Sequence, residues 1–166
     1  MNSYNVKTEL QHLEVDELKA INYEDRLNYA VCCYNILGDL NVGMIIRTAN
    51  LMGAKKVIVV GKKQWDRRSA VGTHHYIDVE FIKGFNDFDE PNVDEFKECM
   101  DRNNFTPIMI ETGGWNISKM KDDLNHIKTK TPCLVFGCEN GGIPEEIKKL
   151  GPIYTIKQHG VIRCLN

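Results

Sequence analysis

An alternation of short apolar runs with helix-like stretches constrains the fold of this 166-residue chain more than any other feature. The apolar runs have the length of buried strands, and the stretches between several of them show helical periodicity or helix-capping residues. This alternation predicts an α/β fold with a mostly parallel sheet flanked by helices. The predicted strands cover 29–34, 56–60, 78–82, 106–110, 132–136 and 153–156, and the predicted helices cover 10–20, 41–52, 92–103 and 144–150.

Local signals add detail to two of these helices. Asn41 is a good N-cap residue, so the second helix is predicted to begin there. Proline at the first helical position is common, which places Pro144 at the start of the last helix. In the second helix, the apolar side chains predicted to face the core are Met44, Ile45 and Leu51.

Charge argues neither for nor against a polyanionic partner, because the formal net charge is only −2 at pH 7. The charge is uneven, however. Segment 55–68 is rich in lysine and arginine and holds one acidic residue, Asp66, whereas segment 14–25 is acidic. The basic segment is either a solvated face or a local patch for phosphate groups.

The cysteines indicate neither a zinc site nor a disulfide framework. No CxxC pair occurs, and no His/Cys spacing typical of zinc is present. Several cysteines lie inside apolar runs, so we expect free core thiols and no metal. No signal-like segment opens the chain and no run is long enough to cross a bilayer, so we expect a cytoplasmic location away from membranes. The cysteines are Cys32, Cys33, Cys99, Cys133, Cys138 and Cys164.

Three distant segments put glycine beside polar residues at the end of an apolar run. They are 41–47, 137–142 and 156–166, and Thr112-Gly113 forms a similar corner after the fourth predicted strand. Glycine lets a ligand approach the backbone closely, and a neighbouring polar group can orient that ligand. These corners predict one ligand pocket assembled from the ends of several strands.

In order and spacing, the segments resemble the three motifs of the SpoU class of the SPOUT superfamily, the RNA ribose 2′-O-methyltransferases. The matching residues are Asn41-x-Gly43-x-x-x-Arg47, Phe136-Gly137-x-Glu139-x-x-Gly142 and Cys164-Leu165-Asn166. The resemblance covers residues 29–166, which leaves residues 1–28 as an N-terminal helical extension. It implies a C-terminal trefoil knot, which periodicity alone does not predict. Members of the family continue into a C-terminal helix, and we expect that helix to be missing here.

The resemblance implies methyl transfer from S-adenosylmethionine to a ribose 2′-hydroxyl of tRNA or rRNA. It makes Arg47, Asn41, Glu139 and Asn166 the catalytic group, with Arg47 near the ribose and Glu139 bracing the neighbouring loops. Because a guanidinium stays protonated, we expect Arg47 to clamp phosphate and developing alkoxide and not to act as a base. Gly43 is expected to allow close helix packing.

The resemblance also implies the binding residues. The cofactor residues are Thr112, Gly113, Gly137, Gly142, Ile156, Gln158 and Leu165. The loop 67–75 resembles a family loop that binds RNA, through Arg67, Arg68 and Ser69. Two residues depart from the family pattern, because Cys164 replaces a usual serine and Lys157 a usual proline.

Three functions remain open at this point. The first is a compact methyltransferase, expected to form a homodimer by resemblance and to prefer tRNA because no separate RNA-binding domain is visible. The second is a catalytically weak RNA-binding module that keeps the fold, favoured by Cys164 and by the end of the chain at Asn166. The third is a small nucleotide-binding domain, which the lack of G-x-G-x-x-G and of a phosphate-loop lysine disfavours.

Overall fold

The predicted strands form one sheet in the computed structural model, which describes residues 6–34, 39–61, 65–124 and 130–159. The strands are β1 Ala30–Tyr34, β2 Lys56–Val60, β3 Asp78–Ile82, β4 Phe105–Asn116, β5 Thr131–Phe136 and β6 Ile153–Thr155. Their order is β3-β2-β1-β5-β4-β6, and every neighbouring pair is parallel. The mostly parallel α/β fold predicted from the sequence is confirmed.

The helices cover both faces of this sheet. They are α1 Val15–Glu24, α2 Asp39–Leu51, α3 Arg67–Ala70, α4 Val93–Arg102, α5 Met120–Leu124 and α6 Glu145–Lys148. Shorter 3-10 turns occupy Thr8–Leu10, Thr73–His75 and Ile117–Lys119. No helix in the described part of the chain is long and apolar enough to cross a membrane.

Strand β1 lies at the centre and is buried along its whole length, as expected for a strand covered on both faces. Successive residues of a strand point to opposite faces, so β1 contributes to two separate apolar cores. One core contains Cys32 and Tyr34 with Phe96 of α4 and Ile147 of α6. The other contains Cys33 with the apolar stripe of α2 formed by Val42, Ile46 and Ala49.

Helix α2 differs from its prediction in two ways. It begins at Asp39, so Asn41 lies in the first turn and is not the N-cap. Met44 and Leu51 are 59% and 74% exposed. The buried residues follow an i, i+4, i+7 spacing from Val42, and this stripe leaves Met44 and Leu51 on the solvent side. Of the three residues predicted to face the core, Ile45 alone packs against it, half-buried.

Other element boundaries shift for local reasons. Helix α1 begins at Val15 and not near residue 10. At this start, the Glu14 N–H donates to the Glu17 carboxylate at 2.9 Å. Pro144 is the residue before α6, one position ahead of its predicted place. Strand β4 runs six residues beyond Ile110, because its pairing with β6 resumes at Trp115 after an irregularity. The predicted knot involves residues 160–166, which lie outside the described residues, so it stays a prediction.

The buried cysteines are free thiols, as expected for core residues. Cys32, Cys33, Cys99 and Cys133 are all buried, and Cys138 is half-buried. Burial raises the pKa of Cys33 and of Cys99 to about 12, and it also raises the pKa of Cys32 and Cys133. A thiol must ionise to act as a nucleophile, so these four side chains serve packing.

Candidate functional site

The candidate site lies where four adjacent strands end. Strands β1, β5, β4 and β6 are neighbours in the sheet and all run in the same direction. Their carboxyl ends therefore meet at one edge, the usual location of ligands in open α/β sheets. The start of α2 and the corners after β5 and β6 follow these strand ends, and Thr112-Gly113 lies in the irregular part of β4, just after its pairing with β5 ends at Ile110.

Asn41 and Glu139 meet across this edge. The Asn41 Nδ2 donates to Glu139 Oε1 at 2.6 Å, although the two residues are 98 positions apart. Both residues are half-buried, and a hydrogen bond to a carboxylate is stronger than one between neutral groups. This bond ties the first turn of α2 to the loop after β5. Asn41 thus uses its side chain for a long-range contact and not for capping.

The loop after β5 is a tight turn that needs glycine at two positions. Cys138 and Gly142 exchange backbone hydrogen bonds of 3.1 and 2.8 Å. A Cβ on Gly137 would lie 2.3 Å from the Gly142 carbonyl carbon, and Gly142 has φ +64°. A side chain at either position would therefore open the turn or strain it. At these two positions the turn presents backbone and no side chain to the sheet edge.

Glu111, near the end of β4, was not predicted from the sequence as a site residue. Its Oε1 accepts from the Thr112 N–H at 2.8 Å, and its Oε2 accepts from the Ile143 N–H at 3.1 Å. Its carbonyl accepts from the Thr155 hydroxyl at 2.7 Å. Glu111 therefore joins β4, the turn after β5 and strand β6. A carboxylate directly before the Thr112-Gly113 corner is the sequence signal that could have identified it.

The other predicted cofactor residues that the structure describes lie at the same edge and are exposed to solvent. Thr112 and Gly113 are exposed, and Gly113 has φ +85°, which disfavours a side chain there. After β6, Ile156 is 40% exposed and Gln158 is exposed. The predicted residues Leu165 and Asn166, with Cys164, lie outside the described residues.

Arg47 lies on the exposed side of α2. It follows Asn41 by six residues, which is about 9 Å along the helix axis and on a different face. Asn41 points to the turn after β5, whereas the Arg47 guanidinium is open to solvent. The geometry of α2 thus separates Arg47 from the bond between Asn41 and Glu139, so its place beside the ribose stays a prediction.

The predicted RNA-binding residues lie on and around α3 and are not equally accessible. Arg67 and Arg68 are exposed. The guanidinium of Arg68 pairs with Asp66 at 2.7 Å, and its hydrogen bonds lower the pKa of that carboxyl. The Ser69 hydroxyl donates to the Asp66 carbonyl at 2.7 Å and packs on α2, where a Cβ on Gly43 would lie 1.8 Å from it. Gly43 thus allows the close helix packing expected of it.

His74 packs beside this loop and has a lowered affinity for protons. Its ring contacts Trp65 edge-on at 5.2 Å, and its buried Nδ1 has no hydrogen-bond partner among the residues that the structure describes. Burial, together with His75 and Arg67, lowers the pKa of His74. Within the described residues, no group of three or more histidine, cysteine, aspartate or glutamate side chains is placed to hold a metal ion.

Comparison with known protein families agrees with the resemblance found in the sequence. The chain matches the SpoU rRNA Methylase family over residues 28–166. A search of curated proteins finds no match.

Solved structures of similar fold come from proteins of related description. The TrmH/SpoU tRNA modifying enzyme of A. aeolicus has a TM-score of 0.69 at 19% identity, covering 92% of this chain and 74% of that one. The SpoU methyltransferase AviRb of Streptomyces viridochromogenes, solved with AdoMet, has a TM-score of 0.65 at 20% identity, covering 86% of this chain and 52% of that one. A structure concerning 2-OH methylation on tRNA has a TM-score of 0.61 at 19% identity, with 83% and 84% covered. At these identities the likeness shows the fold alone, and this chain spans about half the length of the Streptomyces protein.

Proposed function

The chain belongs to the SpoU rRNA Methylase family, a family of RNA methyltransferases, and from this premise we propose that it is an S-adenosylmethionine-dependent RNA ribose 2′-O-methyltransferase. The observation that carries the proposal is the hydrogen bond between Asn41 and Glu139. It joins two of the three motif segments at the carboxyl edge of the sheet. A catalytically weak RNA-binding module is the less favoured alternative.

The residues at the sheet edge fit S-adenosylmethionine. Its adenine needs N–H and C=O partners at close range, and the turn at Gly137 and Gly142 leaves no room for a side chain there. We assign the cofactor to the turn from Gly137 to Gly142, to Thr112-Gly113 and to the segment from Ile156 to Gln158. Under this proposal we name the first the cofactor turn and the second the cofactor corner. When bound, this cofactor supplies an activated methyl group on a sulfonium.

Arg47 is the residue that we assign to the chemistry of the RNA. Its permanently charged guanidinium can hold a phosphate and stabilise negative charge on the ribose 2′-oxygen as the proton leaves to the neighbouring phosphate or to water. The bond from Asn41 to Glu139 holds α2, and hence Arg47, relative to the cofactor turn. Positioning of the reactants and stabilisation of this charge then supply most of the rate enhancement.

The proposal extends to the substrate and to the assembly. Similar structures concern both tRNA and rRNA, so the preference for tRNA as the partner stays a prediction from the sequence. A homodimer, a cytoplasmic location and the division into an extension, 1–28, and a methyltransferase domain, 29–166, follow from the family resemblance. The beginning of the family match at residue 28 supports that division.

The test is transfer of labelled methyl groups to bulk tRNA and to rRNA, followed by digestion and identification of the modified nucleoside. We expect a 2′-O-methylated nucleoside from tRNA. Arg47→Ala should lower kcat by about 100-fold or more with an unchanged affinity for S-adenosylmethionine. Arg47→Lys should recover little, because lysine cannot form a bidentate clamp.

Two results would contradict the proposal. A methyl group on a base would exclude ribose specificity, and an Arg47→Lys variant of near-full rate would exclude the bidentate clamp. If calorimetry detects RNA binding but no binding of S-adenosylmethionine, the RNA-binding module becomes the better description.

A further inference from the structure

Trp115 is an exposed aromatic residue immediately beside the predicted cofactor corner. It is 63% exposed, although tryptophan has the largest apolar surface of any side chain. It directly follows Gly113-Gly114 and pairs in register with Tyr154 of β6. Tyr154 also pairs with Ile110, so the intervening residues of β4 form an irregularity that redirects the chain before Trp115.

A positive charge is held against the ring of Trp115. The Lys119 Nζ lies 4.4 Å from the ring centroid, within the range of a cation–π contact. The spacing is set by a local cap, since the Asn116 side chain accepts from the Ser118 N–H at 2.9 Å and starts the turn that ends at Lys119. Trp115 and Lys119 therefore form a fixed pair at the surface.

This pair matches the chemistry of a nucleotide. A flat aromatic face stacks on any unpaired base, and a lysine ammonium attracts the adjoining phosphate. Lys157, which is also exposed, follows β6 by two residues and adds positive charge at the same end of the sheet. Acidic residues are present as well in α5, but Asp123 accepts a hydrogen bond from the Tyr154 hydroxyl.

The distance to the cofactor corner suits the same ligand. Trp115 follows Gly113 by two residues, so their Cα atoms lie at most about 7 Å apart. Stacked nucleotides of one strand are about 3.4 Å apart, so a base on Trp115 belongs to a nucleotide one or two positions from the ribose at the cofactor.

We propose that Trp115 and Lys119 form a stacking platform for an unpaired base of the RNA substrate, beside the reacting nucleotide. The inference rests on the proposed function and extends it, because it assigns substrate contact to a β4 segment separate from Arg67 and Arg68. It also requires the target RNA to be single-stranded at this position, since a paired base has no free face to offer.

The experiment measures RNA affinity and stacking separately. Affinity is read from the fluorescence anisotropy of labelled tRNA and of a labelled oligouridylate. Trp115→Ala should weaken binding about 5- to 100-fold, and Trp115→Phe should retain most of the affinity because phenylalanine still stacks. Lys119→Gln should weaken binding a few-fold and reduce the salt dependence by about one ion. In a Trp65→Phe background, RNA should quench the fluorescence of Trp115.

A matched control is available at the opposite edge of the sheet. Phe88 is 84% exposed in the loop after β3, and Phe88→Ala should leave RNA affinity unchanged. Binding of S-adenosylmethionine to every variant, measured by calorimetry, shows that the fold and the cofactor turn are intact.

The outcomes separate this inference from the proposed function. If the wild-type protein binds S-adenosylmethionine and Trp115→Ala binds RNA as tightly as wild type, only the stacking platform is wrong. If Trp115→Ala changes the oligomeric state in light scattering and not the RNA affinity, Trp115 belongs to a protein interface. A wild-type protein that binds no S-adenosylmethionine overturns the proposed function, and one that binds no RNA overturns both.

Discussion

Two glutamates near opposite edges of the sheet use the same chemical group for different purposes. Glu80 of β3 accepts hydrogen bonds from the side chains of Lys56, Arg102 and Asn103. Glu111 of β4 accepts from the backbone N–H groups of Thr112 and Ile143. The first network fastens the end of α4 to the sheet through charged side chains. The second shapes the backbone of the cofactor turn.

The difference predicts where each network should matter. Charged side chains that satisfy one another contribute to stability and respond to pH. A carboxylate that orders backbone groups at the proposed ligand-binding edge contributes mainly to ligand affinity. Its loss disturbs the shape of the binding loop but leaves the apolar core intact. Three substitutions test this contrast, in order of their expected effect on the free energy of unfolding.

The largest effect is expected from Gly137→Ala in the cofactor turn. The added Cβ would lie 2.3 Å from the Gly142 carbonyl carbon and 2.6 Å from the Ile143 N, and backbone cannot move aside as a side chain can. We expect a loss of about 2–4 kcal/mol in urea unfolding together with the loss of cofactor binding. Gly141→Ala is the matched control, because its Cβ meets nothing within 4 Å. Equal stabilities for the two variants would show that the turn is not closely packed.

An intermediate, pH-dependent effect is expected from Glu80→Gln. Burial raises the pKa of Glu80, but the hydrogen bonds from Lys56, Arg102 and Asn103 outweigh it and lower the pKa from 4.5 to about 2. The folded state therefore binds this proton less readily than the unfolded state. The stabilisation is complete above about pH 5 and is lost as the pH falls towards 2.

Urea unfolding at pH 7 and at pH 3 measures this effect. At pH 7, Glu80→Gln should cost about 1–3 kcal/mol, and the difference from wild type should shrink by about 1–2 kcal/mol at pH 3. Asp78→Asn is the control, since Asp78 pairs with Lys19 at 3.1 Å in an ion pair with both side chains more than 40% exposed. A difference that stays constant between the two pH values would contradict the lowered pKa of Glu80.

The smallest effect on stability is expected from Glu111→Gln, with a larger effect on the cofactor. A glutamine has one acceptor oxygen, so its NH₂ group must face either the Thr112 or the Ile143 N–H and one bond is lost. We expect the free energy of unfolding to fall by about 1 kcal/mol or less. The affinity for S-adenosylmethionine, measured by calorimetry, should be about five- to tenfold weaker. Glu145→Gln, at a carboxylate that is 74% exposed and pairs with Lys148, should change neither. If Glu111→Gln binds the cofactor as wild type does, its carboxylate does not shape the turn.

The sheet was predictable because each of its inner strands leaves a local signature. A parallel strand covered on both faces is mostly apolar, as β1 and the last four residues of β2 are. Helix α4 was predictable for a similar reason. Asn92 accepts from the Glu95 N–H at its start, and Phe96 and Met100 repeat at helical spacing on the buried face.

The contacts of the candidate site were less predictable because their partners are distant in sequence. By local rules Asn41 is a helix cap, whereas its side chain bonds Glu139, and no pattern around Asn41 encodes that partner. Glu111 likewise accepts from the Ile143 N–H, 32 residues away, and no local pattern encodes that partner. Strand β4 was predicted too short because Gly113 and Gly114 are poor strand formers, and its pairing resumes only at Trp115, opposite Tyr154 of β6.

The central position of β1 also has a consequence for biosynthesis. One edge of β1 pairs with β2, which follows closely, but the other pairs with β5, whose residue Cys133 lies opposite Ala30. A ribosome must therefore translate about a hundred further codons before that edge finds its partner. Until then this edge of an apolar strand has no partner strand and can pair with other chains. The strand order therefore predicts slower folding than a sheet of sequential neighbours and a risk of aggregation during synthesis.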